Sequence, residues 1–295
     1  MQKSEIMSKI ANGHGFIAAL DQSGGSTPKA LAAYGISADA FSNDDDMFAL
    51  IHQMRVRIIT SPVFDGERIL GAILFEKTMD GQAGGQSVPD YLKSRGIVPF
   101  LKVDKGLEDE ADGVQLMKPI AGLDALLQKG VAKGMFGTKM RSAINAANPA
   151  GIAAIVEQQF AVAARIIEHG LMPIIEPEVN INSAARAACD VILRDELVKA
   201  LDTLPEGRQV MLKLSIPAES NFYADLIAHP RVLRVVALSG GFSADAACAE
   251  LAKNDGLIAS FSRALLEKLQ YPMTDAEFNA ALDGSIGQIY EASKA

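Results

Sequence analysis

Cysteine occurs twice and histidine four times in the 295 residues, and both shortages remove chemistry. Cys189 and Cys248 lie far apart without CxxC spacing, which reads as two buried free thiols in a reducing compartment. His14, His52, His169 and His229 show neither HxH nor HxxxH spacing. No zinc or iron site, and no Ser–His–Asp or Cys–His set, can be assembled around them, so surface or packing roles are expected. No apolar run reaches about 18 residues, and the stretch from Met1 to Gly13 lacks an apolar signal-peptide core. A membrane partner and a secretory leader are therefore not expected. GxGxxG is missing after the first strand-like run, which weakens a dinucleotide-binding reading. With a net charge of −8, nucleic acid is a poor partner, although a local basic pocket remains open. The expected location is the cytoplasm.

What the chain does have is apolar content: 49% of its residues are hydrophobic, enough for a sizeable core. Eight short apolar runs alternate with amphipathic stretches. They are Gly15 to Leu20, Gly71 to Phe75, Val98 to Val103, Met135 to Met140, Met172 to Glu176, Val210 to Leu214, Leu233 to Ser239 and Leu257 to Phe261. Helices are expected at Pro149 to His169, with Ile152, Ile155, Val156 and Gln159 on the inner face, and at Ala185 to Thr203, Ala244 to Lys253 and Asp275 to Ala292. Asn148 followed by Pro149 is an N-cap with proline at N1, and Asn254-Asp255-Gly256 a helix stop. The acidic run from Asn43 to Asp46 caps a further helix reaching about Thr60, and the Gly-rich stretch from Thr78 to Gln86 reads as a mobile loop over the mouth. Eight strand units alternating with helices favour an α/β fold of the closed (β/α)8 TIM-barrel type. No composition break divides it, so residues 1–295 are expected to form a single domain.

Catalytic groups in such barrels sit where the strands end, and here the ends are charged. They read Asp21-Gln22-Ser23, Lys102-Val103-Asp104-Lys105, Lys139-Met140-Arg141, Glu176-Pro177-Glu178, Lys213, Ser239-Gly240-Gly241 and Ser260-Phe261-Ser262-Arg263. Strand alternation puts Lys139 with Arg141, Glu176 with Glu178, and Lys102 with Asp104 on shared faces. Lys213 is the centre of this ring. A lysine inside the apolar stretch Val210 to Ile216 must snorkel outward, find a carboxylate or face a cavity. In a cavity, desolvation makes its amine a nucleophile toward carbonyls, and the reading is a Schiff base with a substrate ketone. Neighbouring cations are expected to lower lysine pKa values, and the carboxylates to rise toward the proton-transfer range. Each charge pair could instead be a static salt bridge. Magnesium on Glu176 and Glu178 is disfavoured by the surrounding lysines, so neither metal nor other cofactor is expected.

Ser239-Gly240-Gly241 leads into a helix, where backbone N–H groups can face an anion; Arg263 would add a charged donor. Ser23, Gly24, Gly25, Ser26 and Lys29 form a second anion cradle, unless they merely turn the chain.

The ordered set Leu20-Asp21-Gln22-Ser23-Gly24-Gly25-Ser26, Leu101-Lys102-Val103-Asp104-Lys105-Gly106, Gly137-Thr138-Lys139-Met140-Arg141, Ile175-Glu176-Pro177-Glu178, Leu212-Lys213, Leu238-Ser239-Gly240-Gly241 and Ser260-Phe261-Ser262-Arg263-Ala264 resembles class I fructose-bisphosphate aldolase, in its short bacterial form. The resemblance implies reversible, metal-independent cleavage of fructose 1,6-bisphosphate through a lysine imine. It makes Lys213 the imine lysine and Glu176 the general acid/base. Asp21 and Lys139 become partners in carbinolamine chemistry and C–C cleavage. Ser239, Gly240, Gly241 and Arg263 match the phosphate site of the ketone half. Lys102 matches a lysine beside the imine, Glu178 a charge partner of the lysine cluster, and Arg141 with Ser23 and Ser26 the other phosphate. A sugar phosphate is the implied partner, with self-association as a homo-oligomer possible. Departures are Gln22 where many members have Glu, Met140 where animal forms have Trp, Leu-Ser-Ile-Pro after Lys213, Ser262 for a glycine, and an end at Ala295 without the tail whose terminal tyrosine serves proton exchange. A transaldolase-like or deoxyribose-phosphate-type enzyme shares the lysine but predicts a single phosphate site. A non-catalytic scaffold predicts that Lys213→Met changes nothing.

Overall fold

Apolar runs become strands here because each is buried on both faces, as a parallel sheet covered by helices requires. The computed structural model describes residues 2–294; Met1 and Ala295, the ends noted above, lie outside them. Eight strands form the barrel: β1 (Phe16–Leu20), β2 (Ile69–Leu74), β3 (Val98–Lys102), β4 (Gly137–Ile144), β5 (Met172–Val179), β6 (Val210–Ser215), β7 (Val232–Leu238) and β8 (Ile258–Ala259). Each pairs in parallel with the next in sequence order. The β8–β1 seam has no ladder; it is bridged by Ala19 N–H donating to the Phe261 carbonyl at 3.1 Å. This is the expected (β/α)8 barrel, nearly closed.

Alternation along the strands sorts side chains into two cores. Phe16, Ala18, Leu20, Leu74, Leu101, Ile175, Leu212 and Leu214 face the helices. Ile17, Ala19, Ile73, Val98, Phe100, Ile174, Met211, Val236 and Ile258 fill the barrel interior. A period of two then dictates what lies one layer higher. Ala19 is followed by Asp21, Phe100 by Lys102, Ile174 by Glu176, and Met211 by Lys213, all on the interior side. The apolar plug thus forms the floor under a layer of charged residues. Beneath it, the helix Lys3–Asn12 closes the opposite end with the wholly buried Ile10. Lys9 anchors that helix, donating to the carbonyls of Gly66 at 2.9 Å and Gly96 at 2.6 Å.

The expected helices form at Pro149–Glu168, Arg186–Asp202, Ala244–Leu251 and Asp275–Ala292. Asn148 caps the first by accepting from the N–H groups of Ala150 and Gly151, and Asn43 caps Asp44–Ile59 by accepting from Asp46. Pro149–Glu168 is long and apolar enough to cross a membrane by length and composition. Its buried face, carrying Ile152, Ile155, Val156, Ala163 and Ile166, lies instead against the barrel.

Three expectations need correction. β4 and β5 run on to Ile144 and Val179, so Lys139, Arg141, Glu176 and Glu178 stand inside strands rather than at their ends. The extra length is held by the β4–β5 ladder, which pairs Arg141 with Glu176 and Ile144 with Val179, and by Val114–Gln115 adding antiparallel to β4. The stretch from Thr78 to Gln86 is no open loop. It holds the end of the helix Glu76–Asp80 and the hairpin Gln82–Ala83 with Gln86–Ser87. Gly84 and Gly85, at φ +55° and +77°, make its tight turn. β8 shrinks to two residues, because the Ala259 N–H is taken at 3.1 Å by Ser293 Oγ on the C-terminal helix.

Candidate active site

Thirteen residues were singled out from the sequence: Asp21, Ser23, Ser26, Lys102, Lys139, Arg141, Glu176, Glu178, Lys213, Ser239, Gly240, Gly241 and Arg263. All of them line one cavity of about 920 Å³ at the C-terminal mouth of the barrel. Its floor is a buried charge chain. Lys213 is only 4% exposed and does not snorkel to the surface. Its Nζ lies 3.1 Å from Glu176 Oε1, while Lys139 Nζ lies 3.0 Å from Glu176 Oε2 and 2.5 Å from Asp21 Oδ2. Glu176 thus stands between two ammoniums, and Lys139 between two carboxylates. The contact at Oε2 is an ion pair without hydrogen-bond alignment.

This arrangement reverses two expectations about proton affinity. Burial alone would raise Asp21 and Glu176, but the ammoniums of Lys139 and Lys213 outweigh it and hold both carboxyls below the ordinary carboxylate range. Burial alone would lower Lys139, yet Asp21, Glu176 and Asp104 hold it above the ordinary lysine value. The shifts run the other way because Glu176 lies between two ammoniums and Asp21 is paired with Lys139, so attraction outweighs burial. Both acids are therefore ionised in the free protein.

Around this floor sit pairs that restrain the flanking groups. Lys102 donates to Asp104 Oδ1 at 2.7 Å and to the Asp104 carbonyl at 2.9 Å. Arg141 Nε donates to Glu178 Oε2 across neighbouring strands, and that carboxylate raises the guanidinium although burial opposes it. Glu176 and Glu178, the carboxylates considered for magnesium, are each paired with cations. Among the described residues, no cluster of His, Cys, Asp and Glu is arranged to hold a metal.

Two glycine-bearing turns line the mouth, one after β7 and one after β1, on either side of the β8 end. Gly240 and Gly241, at φ +60° and +117°, take left-handed conformations that favour glycine, and bring the chain to Ser243, which caps the helix Ala244–Leu251. Arg263 is exposed and opens the short helix Arg263–Leu266 on the neighbouring strand end. After β1, Ser23 and Ser26 tie to each other, with Ser26 Oγ donating to the Ser23 carbonyl at 2.9 Å. Lys29 and Arg263 add cations to this side of the cavity.

Several residues holding the site were not singled out as functional. Gln159 was read only as a core position. Buried on the helix Pro149–Glu168, it accepts from the Glu176 N–H at 2.9 Å and donates to Ser142 Oγ at 3.0 Å. Arg55 is 1% exposed beneath Gln22. Its signal was available: Ile51, Arg55 and Ile59 share the buried stripe of one helix.

Fold and site define a (β/α)8 barrel whose C-terminal mouth holds buried amines paired with carboxylates. The family model "Fructose-bisphosphate aldolase class-I" matches residues 3–212. A fructose-bisphosphate aldolase class 1 from Synechocystis sp. is 58% identical over 290 residues, covering 98% of this chain and 97% of the relative. The chain belongs to the class I fructose-bisphosphate aldolase family; it is a lyase, and a Schiff base is the general mechanism of that class. Among solved structures, the fructose-bisphosphate aldolase of Plasmodium falciparum, crystallised with TRAP and a small-molecule inhibitor, superposes with a TM-score of 0.81. The match covers 99% of this chain and 93% of that one at 21% identity, which speaks for the fold. A Corynebacterium glutamicum protein superposes with a TM-score of 0.53 at 14% identity, over 98% of this chain and 93% of its own.

Proposed function

We propose that Lys213 is the amine that captures the ketone carbon of fructose 1,6-bisphosphate, and that the chain acts as one catalytic unit. The observation that carries this is Glu176 divided between two ammoniums, 3.1 Å from Lys213 and 3.0 Å from Lys139, in a buried mouth. An ammonium cannot attack a carbonyl. Glu176 is the acceptor within reach of the Lys213 proton, and the same carboxyl then protonates the carbinolamine oxygen so that water leaves. Lys139, held charged by its carboxylates, polarises that oxygen. In the protonated imine the nitrogen is an electron sink. A carboxylate of the Asp21–Glu176 set takes the C4 hydroxyl proton, and the C3–C4 bond breaks. Its electron pair goes to form an enamine, and the aldehyde half departs as glyceraldehyde 3-phosphate. Protonation of the enamine and hydrolysis of the imine release dihydroxyacetone phosphate and restore Lys213.

The two phosphates need cations at both ends of the cavity, and the site offers them without a metal. Ser239, Gly240, Gly241 and Arg263 hold the phosphate of the ketone half. Arg141, Ser23 and Ser26 receive the other, with Glu178 restraining Arg141 and Lys102 standing beside the imine. We place the enzyme in the cytoplasm, with sugar phosphates rather than nucleic acid or membrane as its partners. The test is fructose 1,6-bisphosphate cleavage with and without EDTA, beside Lys213→Met. The reading expects equal rates with and without chelator, and no cleavage by the folded variant. Cleavage abolished by EDTA, or retained by Lys213→Met, overturns it.

A further inference from the structure

Arg55 is the largest wholly buried side chain of the described residues, and the reaction does not touch it. It rises from the middle of the helix Asp44–Ile59 into the space under the β1 end. A buried guanidinium is ordinarily matched by a carboxylate; among the described residues none lies within ion-pair distance of this one. Its donors go to neutral groups instead. Nη1 donates to Thr78 Oγ1 at 2.8 Å, and Nη2 donates to the Gln22 backbone carbonyl and lies 3.5 Å from Gln22 Oε1. The Gln22 amide in turn donates from Nε2 to Ser262 Oγ.

The neighbours of these partners matter. Gln22 follows Asp21 directly, so holding its carbonyl restrains the peptide one residue beyond Asp21, and with it the end of β1 from which Asp21 reaches Lys139. Ser262 directly precedes Arg263, so fixing its hydroxyl fixes the base of the proposed phosphate arginine. The contact also crosses the β8–β1 seam, where strand pairing is missing and the Ala19–Phe261 hydrogen bond bridges the strands. We propose that Arg55 is a positioning residue that acts on two adjacent parts of the site at once: Asp21 through the Gln22 carbonyl, and Arg263 through the Gln22 side chain and Ser262. Its charge is favoured by Asp21 and opposed by burial, which pushes the guanidinium down to about 10. Planar, forked donors are what the geometry uses, and a lysine offers only a point charge.

This inference rests on the roles proposed for Asp21 and Arg263. The experiment therefore carries borohydride trapping of the Lys213 imine alongside steady-state kinetics. Arg55→Met keeps the volume and removes the donors. A misplaced acid/base group costs up to about a hundredfold, and the expected result is a kcat at least about tenfold lower, with the acid limb of the kcat/KM profile displaced. Gln22→Ala and Ser262→Ala cut only the branch to Arg263, and the expected change lies in KM, about threefold or more upward, rather than in kcat. Arg55→Lys should not restore Arg55→Met, whereas added guanidinium should in part. If Arg55→Met fails to fold, the KM effects of Gln22→Ala and Ser262→Ala still decide the proposal. An Arg55→Met protein of lower stability but unchanged kcat, KM and pH profile overturns it, as does a kcat loss without a KM change in the two branch variants. Failure of imine trapping in the wild type would count against the function proposed above instead.

Discussion

Glu176 has one carboxyl group and two claims on it, and the order in which Lys213 and Lys139 draw on it sets the acid behaviour of the protein. Asp21 and Glu176 are both held below their ordinary values. Their ion pairs therefore contribute stability in full above about pH 4, the unperturbed carboxylate range, and lose it as pH falls through the lowered folded values. Wild type should lose unfolding free energy more steeply than Asp21→Asn as pH falls from about 7 to about 3. Urea titrations at stepped pH measure this, and parallel curves would contradict it. Lys213 itself was legible from the sequence, because an ammonium in the middle of Val210–Ser215 has few explanations. The direction of the carboxylate shifts was not, since it depends on which oxygen meets which ammonium.

At the scale of elements, the helix Pro149–Glu168 does more than cover β4 and β5. Gln159 reaches through the outer core to hold the Glu176 N–H and Ser142 Oγ. Gln159→Leu leaves both buried groups without that partner, a loss of about 1–3 kcal/mol, and frees the backbone that aims Glu176. The expected outcome is lower stability in denaturant titration together with reduced kcat in the folded fraction. Lower stability with kcat intact would reduce Gln159 to a packing residue. The helix, its cap at Asn148 and its inner face could all be read from 3.6-residue periodicity. The full length of β4 and β5 could not. A run of apolar residues reads as ending at its first charge, but above the barrel floor the inward positions are charged, and Arg141 and Glu178 continue their strands. The Thr78 to Gln86 segment misled for a related reason. Its glycines signal a turn, and only Arg55 on Thr78 with the buried Met79 and Ala83 makes it ordered.

The molecule as a whole carries a net charge of −8, yet Lys29, Lys102, Lys105, Lys139, Arg141, Lys213 and Arg263 converge on one opening. Field focusing at such a mouth draws in a bisphosphate against the overall charge, and salt screens it beyond about 8–10 Å. KM for the bisphosphate should rise with ionic strength while kcat changes little; a KM indifferent to salt would contradict the steering role. The barrel was legible at this scale because eight apolar runs alternate with helices in order. Its closure was not. β8 keeps two residues, and the seam depends on one backbone hydrogen bond and on side chains far apart in sequence.

All of this turns on one bond between Lys213 and a substrate carbon. The direct measurement is borohydride reduction in the presence of dihydroxyacetone phosphate, followed by intact-mass analysis and peptide mapping. The account predicts one adduct per chain, on the peptide containing Lys213 and absent from Lys213→Met. An adduct on Lys139 or Lys102, or none on a protein that cleaves fructose 1,6-bisphosphate, would contradict it.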